Sequence, residues 1–281
     1  RPFIARQMVA RMVSSDPLGR IGQILPELLL TGALPPAQAI DDFWDKSATR
    51  DLWDSTLRAL APGDTGFGRA GLAALFGQIA QPHLGPETEQ ILARTWANYD
   101  ALEADLPLQP NTGAILTTHL AALTLALHQA LVAGNRTSAQ SHALIHAIGW
   151  DIYARMAALP LELARAITTN PAKRLRIATD AFRRFPFGPP GYGWRDISAG
   201  DNVVAFNCTK CPVAEFFVQK DQAALCTATW CALDFPLAEK WGGRLVRNQT
   251  IAGGHDHCDF RWHAGARADD AVTHEAGQDA E

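Results

Sequence analysis

The sequence predicts an α+β chain, with an all-helical N-terminal bundle followed by a small antiparallel sheet domain of order β-β-α-α-β-β. Three observations carry that reading. Apolar residues recur at helical spacing up to about Phe185. The run Phe185-Pro-Phe-Gly-Pro-Pro-Gly-Tyr-Gly193 then places three Pro and three Gly in nine residues, which cannot continue a helix. Beyond it the pattern becomes short and alternating, as strands require. The expected division is a helical domain over 1–185, an α+β domain over 186–265, and an acidic tail over 266–281.

In chain order, Phe3 to Val13 has helical spacing and stops at Ser14-Ser15-Asp16-Pro17. Ile21 to Leu30 is a second helix closed by Thr31-Gly32. Pro35-Pro36 opens a third, running through Phe43, Trp44 and Leu52 towards Leu60, where Ala61-Pro62-Gly63-Asp64 ends it. Two more helices are expected near 68–80 and 86–104. From Leu106 to Asn135 there is no Asp, Glu, Lys or Arg, a stretch long enough to cross a bilayer. Thr117, Thr118, His119, Thr124, His128 and Gln129 make it too polar for lipid, so 111–133 reads as a buried core helix. Thr137 or Ser138 caps a partner over about 139–158, with Leu144, Ile145, Ile148, Ile152 and Met156 on one side. Between Asp105 and Asp151 the only charge is Arg136. The pair should therefore form the centre of the bundle, with His119 or His142 hydrogen-bonded. His142 and His146, four apart, read as polar contacts inside the bundle. Pro160 and Pro171 are expected to break a last helical region reaching Phe185. Its basic cluster, Lys173, Arg174, Arg176, Arg183 and Arg184, reads as a solvated face.

After the linker, Trp194–Ile197 and Asn202–Asn207 flank Ala199-Gly200-Asp201 as a hairpin. Pro212–Val218 and Gln222–Lys240 read as helices. Arg244–Ile251 and His257–His263 form a second hairpin around Gly253-Gly254. The two hairpins should share one antiparallel sheet, with the helices on one face.

Composition narrows the function classes. With 47% hydrophobic and 19% charged residues in 281, the chain can bury a real core. Five cysteines are too few for a disulfide scaffold, and an odd count fits free thiols in a reducing compartment, hence the cytoplasm. Arg1, Arg6 and Arg11 interrupt any signal-peptide layout in the stretch given. The net charge is −4, and residues 266–281, with one Arg and five acidic residues, hold all of it. A neutral body with an acidic tail is no nucleic-acid binder. No Gly-x-Ser-x-Gly elbow occurs, and Gly188-Pro-Pro-Gly-Tyr-Gly193 lacks the Lys-Ser/Thr of a phosphate loop. The expected partner is a small-molecule substrate, with neither nucleic acid nor membrane; the oligomeric state stays unassigned.

All five cysteines, Cys208, Cys211, Cys226, Cys231 and Cys258, lie in the last third. That clustering points to a site built from both hairpins and the helices between them. Cys211 follows a strand and precedes a helix opened by Pro212, where free N–H groups and the helix dipole stabilise a thiolate. Cys231 and Asp234, three apart, share a helix face. Cys258 and Asp259 are strand neighbours and must point to opposite faces. A metal reading competes, since Cys208-x-x-Cys211 has knuckle spacing and His255 and His257 flank Cys258. A second Cys-x-x-Cys is missing, however: Cys226 and Cys231 are five apart.

Four stretches together resemble the L-2-amino-thiazoline-4-carboxylic acid hydrolase family. They are Asn207-Cys-Thr-Lys-Cys211-Pro, Cys231-Ala-Leu-Asp234, Arg247-Asn-Gln-Thr250-Ile-Ala-Gly-Gly254 and Cys258-Asp259-Phe260. The resemblance covers roughly 190–265 and implies hydrolysis of a non-peptide C–N bond in a small cyclic amidine or related ring. It places the catalytic residues at Cys211, Cys231, Asp234 and Cys258, with Cys208 and Cys226 as additions outside the site. The chemistry agrees: a thiolate can attack an amidine carbon, and a carboxylate such as Asp234 can pair with amidinium nitrogens. A substrate carboxylate calls for an Arg clamp, for which Arg244, Arg247 and Arg261 are nearest. Asn207, Asp259 and His257 complete the substrate-binding candidates. Cys231 or Cys211 is the favoured nucleophile. No cofactor is expected, with zinc or iron at Cys211, Cys231 and Cys258 as the open alternative. The competing function is a small-molecule- or metal-binding sensor domain, similar to the 4-vinyl reductase type, without turnover.

Overall fold

The computed structural model describes residues 67–265. The three helices expected before residue 61 and the acidic tail lie outside the described residues. Within them the element order is α1 (Phe67–Leu84), a 3-10 turn (Gly85–Glu87), α2 (Thr88–Glu103), α3 (Thr112–Ala133), α4 (Ser138–Ile167) and α5 (Pro171–Arg184). Then come β1 (Gly193–Asp196), β2 (Val203–Lys210), α6 (Pro212–Gln219), α7 (Ala223–Ala228), a 3-10 turn (Cys231–Leu233), α8 (Asp234–Lys240), β3 (Gly243–Val246) and β4 (Cys258–Ala264). This is an α+β fold whose C-terminal part runs β-β-α-α-α-β-β, one helix more than the expected β-β-α-α-β-β.

The helix ends follow local chemistry. Asn111 caps α3 by accepting the Ala114 N–H at 2.8 Å, and Gly134 closes it. Thr137 and Gln140 form a reciprocal capping box at the start of α4. Asn170 caps α5, with Pro171 in the first turn, where its missing N–H is harmless. The expected break at Pro160 does not occur, because α4 runs on to Ile167 with that proline inside it. Proline costs an interior helix about 3 kcal/mol. Here the residues around it, Ala157, Leu161 and Ala164, are buried, and burial of that face offsets the lost hydrogen bond.

The uncharged α3 packs against α2 and α4 and supplies the largest share of one core, including Ala122, Leu123, Leu127 and Leu131. By length and composition, Gly113–Ala133 could cross a membrane, and 56% of its most apolar window is buried inside the protein. His119 Nδ1 lies 2.6 Å from the Tyr99 hydroxyl, and His128 Nδ1 lies 2.8 Å from Ser141 Oγ. Burial lowers both imidazoles below their ordinary range. The His142 ring stacks obliquely on that of His128 at 5.2 Å.

The sheet is fully antiparallel in the order β1-β2-β4-β3. In its centre Phe206 pairs with Phe260, Asn207 with Asp259 and Cys208 with Cys258. One face packs on α4, α5 and α8, where Ala157, Leu161, Leu175, Phe182 and Leu237 meet Val204, Phe206, Leu245, Phe260 and Trp262. The expected helix over Gln222–Lys240 is broken into α7, the 3-10 turn and α8. The strand expected over Arg244–Ile251 ends at Val246, and a loop continues to Cys258.

The Pro/Gly linker is docked rather than loose. Asn111 donates to the Gly188 carbonyl at 3.0 Å, and the buried Tyr192 hydroxyl donates to Thr117 at 2.8 Å. The contact with α3 is close enough that a Cβ at Gly113 would fall 2.0 Å from the Pro186 carbonyl oxygen. Glycine at that position is thus a condition of linker docking.

Candidate active site

Between the sheet and helices α4, α5 and α8 lies a cavity of about 100 Å³. Its walls are mostly aromatic, among them Tyr153, Phe182, Phe187, Trp194, Trp230 and Trp241. Its reactive groups are Cys208, Cys211, Cys226, Cys231, Cys258, Asp234, Arg183 and Arg247. A chain of ring contacts holds this wall in place: Trp194 edge-on to Phe206, Phe206 stacked on Phe260, and Phe260 stacked on Trp262.

Each reactive side chain arrives by a local route. Cys211 is the N-cap of α6, directly after β2, and its sulfur accepts the Ala214 N–H at 3.5 Å. Cys231 opens the 3-10 turn and Asp234 opens α8, so the three-residue spacing still puts both on one side. Cys258 begins β4, and its sulfur accepts the Ile251 N–H from the long β3–β4 loop at 3.3 Å. The three expected thiols do converge, with Asp234 beside them. The expectation that Cys208 and Cys226 lie outside is overturned, since both line the same cavity. Cys208 is the cross-strand partner of Cys258, and directly opposed strand residues share a face.

All five thiols are free. Cys208 Sγ lies 3.2 Å from the Lys210 carbonyl and within hydrogen-bond reach of Cys211 and Cys258. Those sulfur contacts, then burial, push the Cys208 thiol far above its usual range. Cys226 is pushed up likewise, first by its hydrogen bond with Cys231 and then by burial. Cys258 moves the other way. The hydrogen bond from Cys208 lowers it most, with the Ile251 N–H and the charge of Arg247 adding to that effect against burial. One neighbouring thiol thus stays protonated as the donor while Cys258 becomes the better anion.

Asp234 and Arg247 form the polar centre. Arg247 donates to Asp234 Oδ2 at 2.5 Å and to the Cys231 carbonyl at 2.6 Å. The Tyr153 hydroxyl donates to Asp234 Oδ1 at 3.2 Å. Burial pushes the Asp234 carboxyl above its ordinary range, against the opposing pull of Arg247 and Tyr153. Burial, followed by the charge of Asp234, raises the Tyr153 phenol well above its usual value, so it remains a donor. The Arg247 guanidinium lies 5.2 Å from the Phe260 ring centroid and 5.1 Å from that of Phe235.

The other expected substrate-binding residues lie elsewhere. Asn207 and Arg261 bond to one another, Arg261 Nη1 donating to Asn207 Oδ1 at 3.0 Å and to the Phe206 and Phe260 carbonyls. Asp259 accepts the N–H groups of Asn248 and Gln249 and so fastens the β3–β4 loop. His257 is bound to Asp256. None of the four lines the cavity, nor does Arg244. The strand alternation that brings Cys208, Cys258 and Phe260 inward turns Asn207, Asp259 and Arg261 outward.

Two cavity groups were missed from the sequence. Tyr153 sits on α4, 81 residues before its partner Asp234, and no local pattern announces so distant a contact. Arg183 departs from the solvated face expected for its basic cluster. Its guanidinium lies 4.4 Å from the Phe206 ring centroid and 5.4 Å from that of Trp194, and its Nη1 reaches Asp196 at 2.8 Å. The helical period could have signalled this, because Thr179, one turn earlier on the same stripe, is buried. Among the described residues, no group of three or more His, Cys, Asp or Glu side chains is disposed to hold a metal ion.

Residues 162–262 match the family model of L-2-amino-thiazoline-4-carboxylic acid hydrolase. The hydrolase-family match begins inside α4, so it takes in α5 and the cavity's helical wall as well as the whole sheet up to Trp262. Cys208, Cys211, Cys226, Cys231, Asp234, Arg247 and Cys258 all fall within it; Tyr153 precedes it. No curated protein and no solved structure matches the chain.

Proposed function

We propose that this chain is a cytoplasmic hydrolase that opens a small cyclic amidine of the thiazoline carboxylate type at a C–N bond, with Cys258 as nucleophile. The observation that carries the reading is the convergence of Cys258 with the Asp234–Arg247 pair in one aromatic-walled cavity. The family name supports a hydrolase of a thiazoline carboxylate.

In this mechanism the substrate ring lies against the aromatic wall, with its amidinium N–H groups directed at Asp234. Arg247 and Tyr153 position that carboxylate, which favours the protonated and therefore more electrophilic amidine. The Cys258 sulfur bonds to the amidine carbon as the π pair moves to nitrogen. The tetrahedral adduct then expels a ring nitrogen, which takes a proton passed from the exocyclic nitrogen through Asp234, and the carbon remains bound to Cys258. Water adds to that carbon, giving one proton to the exocyclic nitrogen and the other to the freed amine, and Cys258 leaves as thiolate, so a C–N bond is exchanged for a C–O bond. The Ile251 N–H, which donates to Cys258 Sγ, and the nearby Arg247 charge favour the Cys258 thiolate at the start and the end of the cycle.

The test is turnover of L-2-amino-thiazoline-4-carboxylate, alongside a panel of cyclic amidines, hydantoins and N-carbamoyl amino acids. Cys211→Ser, Cys231→Ser and Cys258→Ser are each assayed after a check of folding. Wild-type turnover that collapses in Cys258→Ser is expected. Binding of the ring without turnover, or stoichiometric zinc or iron in the purified protein, would favour the sensor-domain alternative.

A further inference from the structure

Among the described residues, four buried side-chain polar atoms have no hydrogen-bond partner: Thr118 Oγ1, Arg183 Nε, Arg244 Nε and Trp262 Nε1. Two of the four, Arg183 Nε and Trp262 Nε1, belong to residues in the wall of the thiol cavity, while Thr118 and Arg244 do not line it. Buried N–H donors are nearly always paired, by protein, water or ligand. Two unpartnered donors around one cavity therefore mark a place that an acceptor should fill.

The cavity has two guanidinium groups, and they differ in what they have left to give. Arg247 is committed to Asp234 and to the Cys231 carbonyl. Arg183 uses Nη1 on Asp196, whose side chain is 78% exposed, and on Asp180 at 3.6 Å, and keeps Nε free. Its plane rests against Phe206 and Trp194, which fixes the orientation of the fork. Trp262 is held by its stack on Phe260 and by Trp241, whose ring centroid is 5.6 Å away. Both donors are thus preorganised, and the Nε edge of an arginine is suited to a planar two-oxygen anion.

We infer that Arg183, with Trp262 as a second unpartnered donor in the same cavity wall, binds the carboxylate of the substrate, a role the outward-turned Arg261 does not fill. The inference rests on the proposed reading of the cavity as a substrate site and adds the group by which that site selects its ligand. It also gives α5 a purpose: Arg183 stands one helical turn past Thr179, on the stripe that closes the cavity.

The experiment compares two ligands that share one ring, L-2-amino-thiazoline-4-carboxylate and its 4-carboxamide. Their binding to the full chain is measured by calorimetry, and turnover is recorded separately. Wild type should prefer the carboxylate by about tenfold or more, the scale of one charge-assisted contact. Arg183→Met should erase that preference by weakening the carboxylate alone, and Arg183→Lys should restore only part of it, because a point charge replaces the fork. Trp262→Phe should reduce the preference while leaving carboxamide binding in place. Where turnover is measurable, Arg183→Met should raise KM for the carboxylate with kcat little changed. Equal wild-type affinity for the two ligands, no binding of either, or a preference that survives Arg183→Met would overturn the inference. If Arg183→Met does not fold, a preference untouched in both Arg183→Lys and Trp262→Phe would do the same. Preferential carboxylate binding without turnover would remove the hydrolase reading and leave the carboxylate site standing.

Discussion

Along β4, Cys258, Phe260 and Trp262 turn towards the helices while Asp259 and Arg261 turn away, and β2 repeats the split with Phe206 and Cys208 against Asn207. The inner set lines an aromatic cavity with reactive thiols and a buried ion pair. The outer set is consumed in holding structure: Arg261 bonds to Asn207 and to strand carbonyls, and Asp259 pins the loop that delivers the Ile251 N–H to Cys258. Adjacent residues of one strand therefore divide cavity lining from structural support, and chemical type alone does not tell them apart. Asp259 and Asp234 are both carboxylates in the family-like motifs, yet only Asp234 faces the cavity.

The sharpest test of this division is Cys258→Ser against Asp259→Asn. Loss of a nucleophile costs on the order of a thousandfold or more in kcat, whereas Asp259→Asn should leave kcat/KM close to wild type. Equal losses in both would mean that the sheet faces do not separate the roles as described.

Next in size is the buried pair. The side chains of Arg247 and Asp234 are only 4% and 15% exposed. Asp234→Ala strands the arginine, at a cost of about 3–5 kcal/mol in urea denaturation. Adding Arg247→Met should recover part of that stability without recovering activity.

A smaller effect is expected on the reactivity of Cys258. Its thiol sits below the ordinary range chiefly because Cys208 donates to it. In Cys208→Ala the midpoint of its alkylation by iodoacetamide should move to higher pH, with slower labelling at neutral pH, because less thiolate is present below the midpoint. An unmoved midpoint would assign the effect to Ile251 and Arg247 instead.

The smallest effect belongs to the outer face. Arg261→Ala removes hydrogen bonds from a charged donor and should cost about 1–3 kcal/mol of stability, with KM for the carboxylate substrate unchanged. A large rise in KM would return Arg261 to the substrate site.

The sequence by itself determined the α+β fold class, a single antiparallel sheet with helices on one face, and a cap for α4 at Thr137 or Ser138. All of these follow from local rules of periodicity, turn residues and capping. It also determined that Cys258 and Asp259 must part company, since strand side chains alternate strictly. It brought Cys211, Cys231, Cys258 and Asp234 together because a strand end, a helix start and a three-residue spacing aim them at one region. Only the tertiary structure decided which sheet face is covered, and hence that Asn207, Asp259 and Arg261 are supports while Cys208 belongs with Cys258. It also decided that Arg183 leaves its basic neighbours for the aromatic wall, and that Tyr153 reaches Asp234 across 81 residues. Alternation fixes the relation between neighbours on a strand, but which side becomes the interior is set by helices packed from distant parts of the chain.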